Sequence, residues 1–385
     1  MSEIALSVAF IGIILLIGVF LKILSDKKGY PLTLFLLLLG IIVNQIFDFN
    51  PQESLTSVGS FVTLALVLVL FDAGMTINVR RLYKNIAAPF TFGMVAVLFT
   101  IVSVAFFSKI FLGLDYIFGL ILGSILASTD LTIIAPIFKS MNLKTNIKEY
   151  IEIESSINSI FAAVFAVVLI NFHETETQLA FTADILSAGV QTLLYNIFVG
   201  AGLGIVIGYT ILRFIHKLSS GQMPHLVMFG SLFFTYAISE LLGASGIATA
   251  LAVGIVFGNS KIQVPSIIKS FGGEMELILV TFVYFILGAI IDFQIMYTYL
   301  IPAVILISLI YFVRYLAARY FTKNMEKLRK FTVLSSPRGI TCAVLTLSYA
   351  SIFPNPALII GLVFSVILIS SLTMFFIPKS LPRRY

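Results

Sequence analysis

The chain has 385 residues, of which 59% are hydrophobic and 11% charged, with 36 Phe and no Trp. Its mean hydropathy is +1.08, whereas a soluble domain is about 45–50% apolar and about a quarter charged. These proportions exclude a soluble enzyme or a cytosolic binding module and point to a polytopic membrane protein. The formal charge of +6 would suggest nucleic acid in a soluble chain. Here the placement of Lys and Arg sets orientation in the bilayer instead, and no nucleic-acid partner is implied. The single cysteine, Cys342, permits no internal disulfide, and no spaced set of zinc ligands or cofactor motif stands out.

Apolar stretches fall at 4–24, 31–47, 58–76, 86–108, 116–139, 148–170, 184–212, 224–239, 243–257, 275–290, 297–318, 333–350 and 357–377. Most reach the roughly 17–25 residues that cross the hydrocarbon as a helix, and they are too long and continuous for barrel strands. The acidic Glu3 precedes the first where a cleaved leader is basic, so that stretch is read as a membrane helix. The expectation is an all-α polytopic membrane protein with thirteen transmembrane helices and no separate soluble domain within residues 1–385. With the N-terminus outside and the C-terminus cytoplasmic, 21 of the 24 basic residues fall in inner loops or the tail. The block from Arg319 to Lys330 is decisive, because merging the short eighth and ninth stretches would place it outside. A long seventh stretch, 184–212, also permits a first repeat over 1–170 and a second, inverted one over 224–377.

Charges inside spans are costly and face a polar cavity or a partner. Asp130 lies 14 residues beyond Tyr116, about 21 Å into the membrane at 1.5 Å per residue. Ser128, Thr129 and Thr132 surround it and Pro136 follows, a combination that suits an interrupted helix lining an ion site. In the sixth span, Glu154 and Asn158 share one face and Ser155 and Ser159 another. These rows supply the oxygens that a dehydrated cation requires. Thr129, Asp130 and Ser155 are the candidate monovalent-cation ligands. Arg338, between Pro337 and Gly339, opens the twelfth span and must meet a carboxylate or water, while Gly339 permits close backbone approach. Arg314 in the eleventh span is equally consistent with snorkelling to the cytoplasmic surface. Asp72 lies near the inner end of the third span, where Arg80 and Arg81 are possible anchors.

The succession FDAGM, ASTD, EIESSINS and SPRG resembles the sodium/proton exchanger family, and within it the NhaP-type antiporters. The similarity runs through nearly the whole chain. It implies inverted six-helix repeats, crossing unwound helices and a homodimer. It also implies a mobile core domain, formed mainly by helices near 58–170 and 297–377, with the remainder as dimer domain. Thr129 and Asp130 match the family's unwound fifth helix, and Glu154 and Ser155 its ion-site residues. Asn158 matches the paired asparagine. Arg338 matches the arginine that holds the Glu/Asn pair, and Arg314 the basic residue of the eleventh helix. Three positions depart from the pattern. The family's Asn-Asp pair is Asn158-Ser159, the proline after Thr-Asp is Leu131, and the glycine between the glutamates is Ile153.

The function implied is secondary exchange of Na+, or Li+ or K+, for H+ by alternating access in the cell membrane, with no catalysis and no cofactor. Asp130 is the candidate titrating residue, because Ser159 replaces the usual carrier. Two alternatives stand beside it: a transport-inactive or carrier-substituted antiporter, and a small-anion carrier using Arg338 and helix N-termini. Asp130 and Glu154 oppose the anion reading, since they cancel the positive field.

Overall fold

A computed structural model describes residues 3–47, 51–76, 87–131, 133–134, 145–175, 183–217, 224–260, 266–291, 293–321, 329 and 332–380. The helices are α1 (Glu3–Lys28), α2 (Leu32–Phe47), α3 (Pro51–Thr76), α4 (Ala87–Phe111), α5 (Tyr116–Ala127) and α6 (Thr145–Thr175). They continue as α7 (Ala183–Lys217), α8 (Pro224–Leu241), α9 (Gly246–Asn259), α10 (Ser266–Ala289), α11 (Phe293–Phe321), α12 (Ile340–Tyr349) and α13 (Pro356–Ser380). A single 3₁₀ turn, Ala350–Ile352, follows α12. No strand occurs among the described residues. Every apolar stretch thus contains described helix, as expected where lipid offers the backbone no hydrogen-bond partners.

Among the described residues, six stretches are long and apolar enough to cross a membrane: Ala9–Lys28, Ala88–Phe111, Tyr150–His173, Ile197–Phe214, Gln294–Tyr320 and Pro356–Met374. Other apolar helices are shorter. α5 ends at Ala127 because the chain turns extended at Ser128 (φ −61°, ψ 140°), and helical residues resume only at Leu131. The twelfth stretch is interrupted likewise, with helical residues 332–334 separated from α12 by non-helical Ser335–Gly339. Pro136 and the basic pair Arg80 and Arg81 lie outside the described residues.

The chain packs as two units. The first comprises Met1–Val62, Thr129–Ser155 and Glu274–Tyr385, and the second Thr63–Ser128 and Ser156–Gly273. In the first, Ile14, Phe285 and Ala289 join α1 to α10 in a buried cluster. Here α2 and α10 meet backbone to backbone: a Cβ on Gly40 would strike Phe285 O, and one on Gly288 would strike Leu37 O. In the second unit Val67, Phe71, Ile211, Met228, Val253 and Phe257 build the core between α3, α7, α8 and α9. There α3 and α9 make the same kind of approach, with Gly254 against Phe71 O and Gly74 against Leu251 O. Small residues at such contacts let helices pack where lipid provides no hydrophobic drive between them.

Candidate functional site

The first unit places the two interrupted segments against each other. Asp130 N–H donates to Pro337 O at 3.0 Å, and Ile340 N–H donates to Asp130 Oδ2 at 2.7 Å. Each break therefore satisfies polar groups of the other, as buried backbone demands. Ile340 is the first residue of α12, so the carboxylate stands at a helix N-terminus, where the orphan amides and the positive dipole end favour an anion. Gly339 makes the approach possible, because a Cβ there would overlap the Asp130 side chain. Asp130 is 6% exposed.

Thr129 and Ser155 form the adjoining pair. Thr129 Oγ1 donates to Ser155 Oγ at 3.1 Å, and Ser155 Oγ donates to Thr129 O at 3.1 Å. Three oxygens are thus gathered: the hydroxyl and carbonyl of Thr129, next to Asp130 in sequence, and the hydroxyl of Ser155. One residue earlier on α6, Glu154 is fully buried and accepts from Arg314 Nη2 at 2.7 Å. Arg314 Nε donates to Thr332 O at 3.1 Å. The arginine is 2% exposed, so it does not snorkel: the Glu154 carboxylate draws it inward. The Glu154 Oε1 ion pair thus comes from Arg314 of α11, while the resemblance also brings Arg338 to the Glu154/Asn158 pair. Arg338 is 1% exposed, and its backbone N–H donates to Ser370 Oγ of α13 at 3.0 Å.

In the second unit, Asn158 is buried on α6. Ser128 Oγ donates to Ser159 Oγ at 3.2 Å, a bond between two neutral hydroxyls. Asp72 also belongs to this unit and is half-buried. Among the described residues, no three or more His, Cys, Asp and Glu side chains group to hold a metal ion.

Sequence reasoning missed two partners. Tyr284 of α10 is fully buried and its hydroxyl donates to Asp130 Oδ2 at 3.2 Å. The available signal was a phenol in an otherwise apolar span, which needs a partner when buried. Ser370 gave a fainter signal, because serine commonly bonds its own helix, as it does here to Ile367 O at 3.0 Å.

Comparison with known proteins bears on the family and the fold. The family model described as "Sodium/hydrogen exchanger, transmembrane" matches residues 8–379. The K(+)/H(+) antiporter NhaP of Alkalimonas amylolytica is 26% identical over 322 residues, covering 81% of this chain and 54% of that protein. The chain thus spans about half the length of that relative. The Na(+)/H(+) antiporter 1 of Methanocaldococcus jannaschii is 22% identical over 368 residues, covering 90% of this chain and 84% of that one. In fold, the chain matches the structure of the sodium proton antiporter MjNhaP1 from M. jannaschii at pH 8. The TM-score is 0.78 with 20% identity, over 96% of this chain and 99% of the other.

Proposed function

Since the chain belongs to the sodium/hydrogen exchanger family, we propose that it exchanges a monovalent cation for protons across the cell membrane by alternating access. Na+ is the first candidate, with Li+ and K+ as alternatives; the curated relatives are named for Na+ and for K+. The observation that carries this reading is Asp130 itself, a carboxylate buried between two broken helices and bonded to the first amide of α12. Thr129 and Ser155 offer oxygens that replace water around a dehydrated cation. Glu154 is neutralised by Arg314, so it serves as scaffold. Asp130 then exchanges cation for proton: the cation binds the carboxylate form, and protonation of that carboxylate releases it.

Thirteen crossings with N-terminus out and C-terminus in, a homodimer, and a core domain mainly of residues 58–170 and 297–377 complete the proposal. The glycine contacts support inverted repeats. Exchanging α1–α6 with α8–α13 carries the α2–α10 contact onto α9–α3, and the interrupted fifth stretch onto the interrupted twelfth. Movement of the core domain exposes the site to each side in turn.

A second reading, a transport-inactive or carrier-substituted antiporter, is favoured by the neutral Ser128–Ser159 contact at 3.2 Å. Purified chain in proteoliposomes separates the two. A pH gradient should drive uptake of Na+, K+ or Li+, and collapse of the gradient should stop it. Absence of cation-dependent proton flux with every cation would leave the inactive reading.

A further inference from the structure

Tyr284 sits on a helix whose orientation is fixed from outside the crossing of the broken segments. Thr281, three residues before it, packs at Gly18 of α1; Gly288, four residues after it, meets Leu37 of α2. Phe285 also stacks edge-on to Phe10 with ring centroids 5.8 Å apart. These contacts set the rotation of α10, and that rotation aims the Tyr284 hydroxyl at Asp130 Oδ2, 3.2 Å away. The same oxygen takes the Ile340 amide at 2.7 Å. One donor leaves a carboxylate able to pivot about its terminal torsion, a broad, soft rotation. Two donors reaching one oxygen from different helices fix the plane, and with it the direction of the second oxygen.

Volume alone does not explain the hydroxyl. Phenylalanine would fill the same volume without the hydroxyl, and a buried phenol is costly unless bonded. We propose that Tyr284 is a positioning residue for Asp130, tying the carboxylate plane to the α1–α2–α10 packing so that cation affinity depends on this bond. Its consequence for flux rests on the exchange reading above; its consequence for the carboxylate does not.

The test uses the full chain reconstituted in lipid and three variants. Tyr284→Phe keeps the ring and removes the donor. Tyr311→Phe removes another phenol, half-buried and bonded to Thr373 at 2.9 Å, and controls for the general loss of such a bond. Asp130→Asn identifies the infrared carboxylate band belonging to Asp130. In Tyr284→Phe that band should move, while in Tyr311→Phe it stays. Cation half-saturation of flux should rise by about threefold to tenfold, as for loss of one buried hydrogen bond. Maximal flux should stay within about twofold, so that the change lies in binding, and the pH profile should be displaced. An unmoved band, or equal effects in both Phe variants, would overturn the proposal. A parent without flux defeats the exchange reading alone, and the infrared comparison then still decides the role of Tyr284.

Discussion

Arg314 Nη2 and Glu154 Oε1 lie 2.7 Å apart, 160 residues distant in sequence and both buried. Such a pair costs desolvation on both sides, yet removal of one member strands the other charge away from water. Arg314→Leu and Glu154→Leu should each destabilise the protein by about 3–5 kcal/mol. Replacing both with leucine should recover most of that loss. Thermal unfolding of the four proteins in one detergent measures the coupling; additive losses in the double variant would show that the pair does not act as a unit.

Gly339 allows the two broken segments to meet. Gly339→Ala places a methyl group where the Asp130 side chain stands, and relief requires the segments to separate. Overpacking of this kind costs about 1–3 kcal/mol. The variant should also lose the Ile340-to-Asp130 bond, which faster amide exchange at Ile340 would report. Parent-like exchange at that amide would contradict the stated packing.

Ser159→Asp places a carboxylate against Ser128, immediately before Thr129 and Asp130 in the chain. If this position is the family's carrier site with its carboxylate replaced, Na+ flux should increase and its apparent affinity should rise with pH, as cation and proton compete. If the position serves only helix packing, an unpartnered buried carboxylate should cost several kcal/mol and add no flux. Flux and thermal stability measured together separate the outcomes.

The topology is open to labelling. In a Cys342→Ser background, cysteines placed at Lys144 and Lys323 should react from the cytoplasmic side, and one at Glu174 from the outer side. Reaction of the Lys144 and Glu174 positions from one face would refute thirteen crossings.

The helices were legible in the sequence because lipid forces each backbone polar group to be satisfied within its own segment, which leaves long apolar runs. The break at Ser128–Asp130 was legible for the converse reason: polar residues deep in such a run must have partners. Gly339 was read correctly as a point of close backbone approach. That Arg314 meets Glu154 was not legible, because the pair depends on how α6 and α11 pack across 160 residues. Tyr284 was hidden among 15 tyrosines, since tyrosine is common where spans meet the membrane surface and only contacts distinguish a buried phenol from such an anchor.

The most direct test of the central claim is pH-driven cation flux by the parent and by Asp130→Asn in matched proteoliposomes. Asparagine preserves volume and an acceptor oxygen for Ile340 and Tyr284 while removing the group that trades a proton for a cation. The account predicts exchange in the parent and none above empty liposomes in the variant, with both proteins folded by thermal denaturation. Exchange at a comparable rate in Asp130→Asn would contradict it.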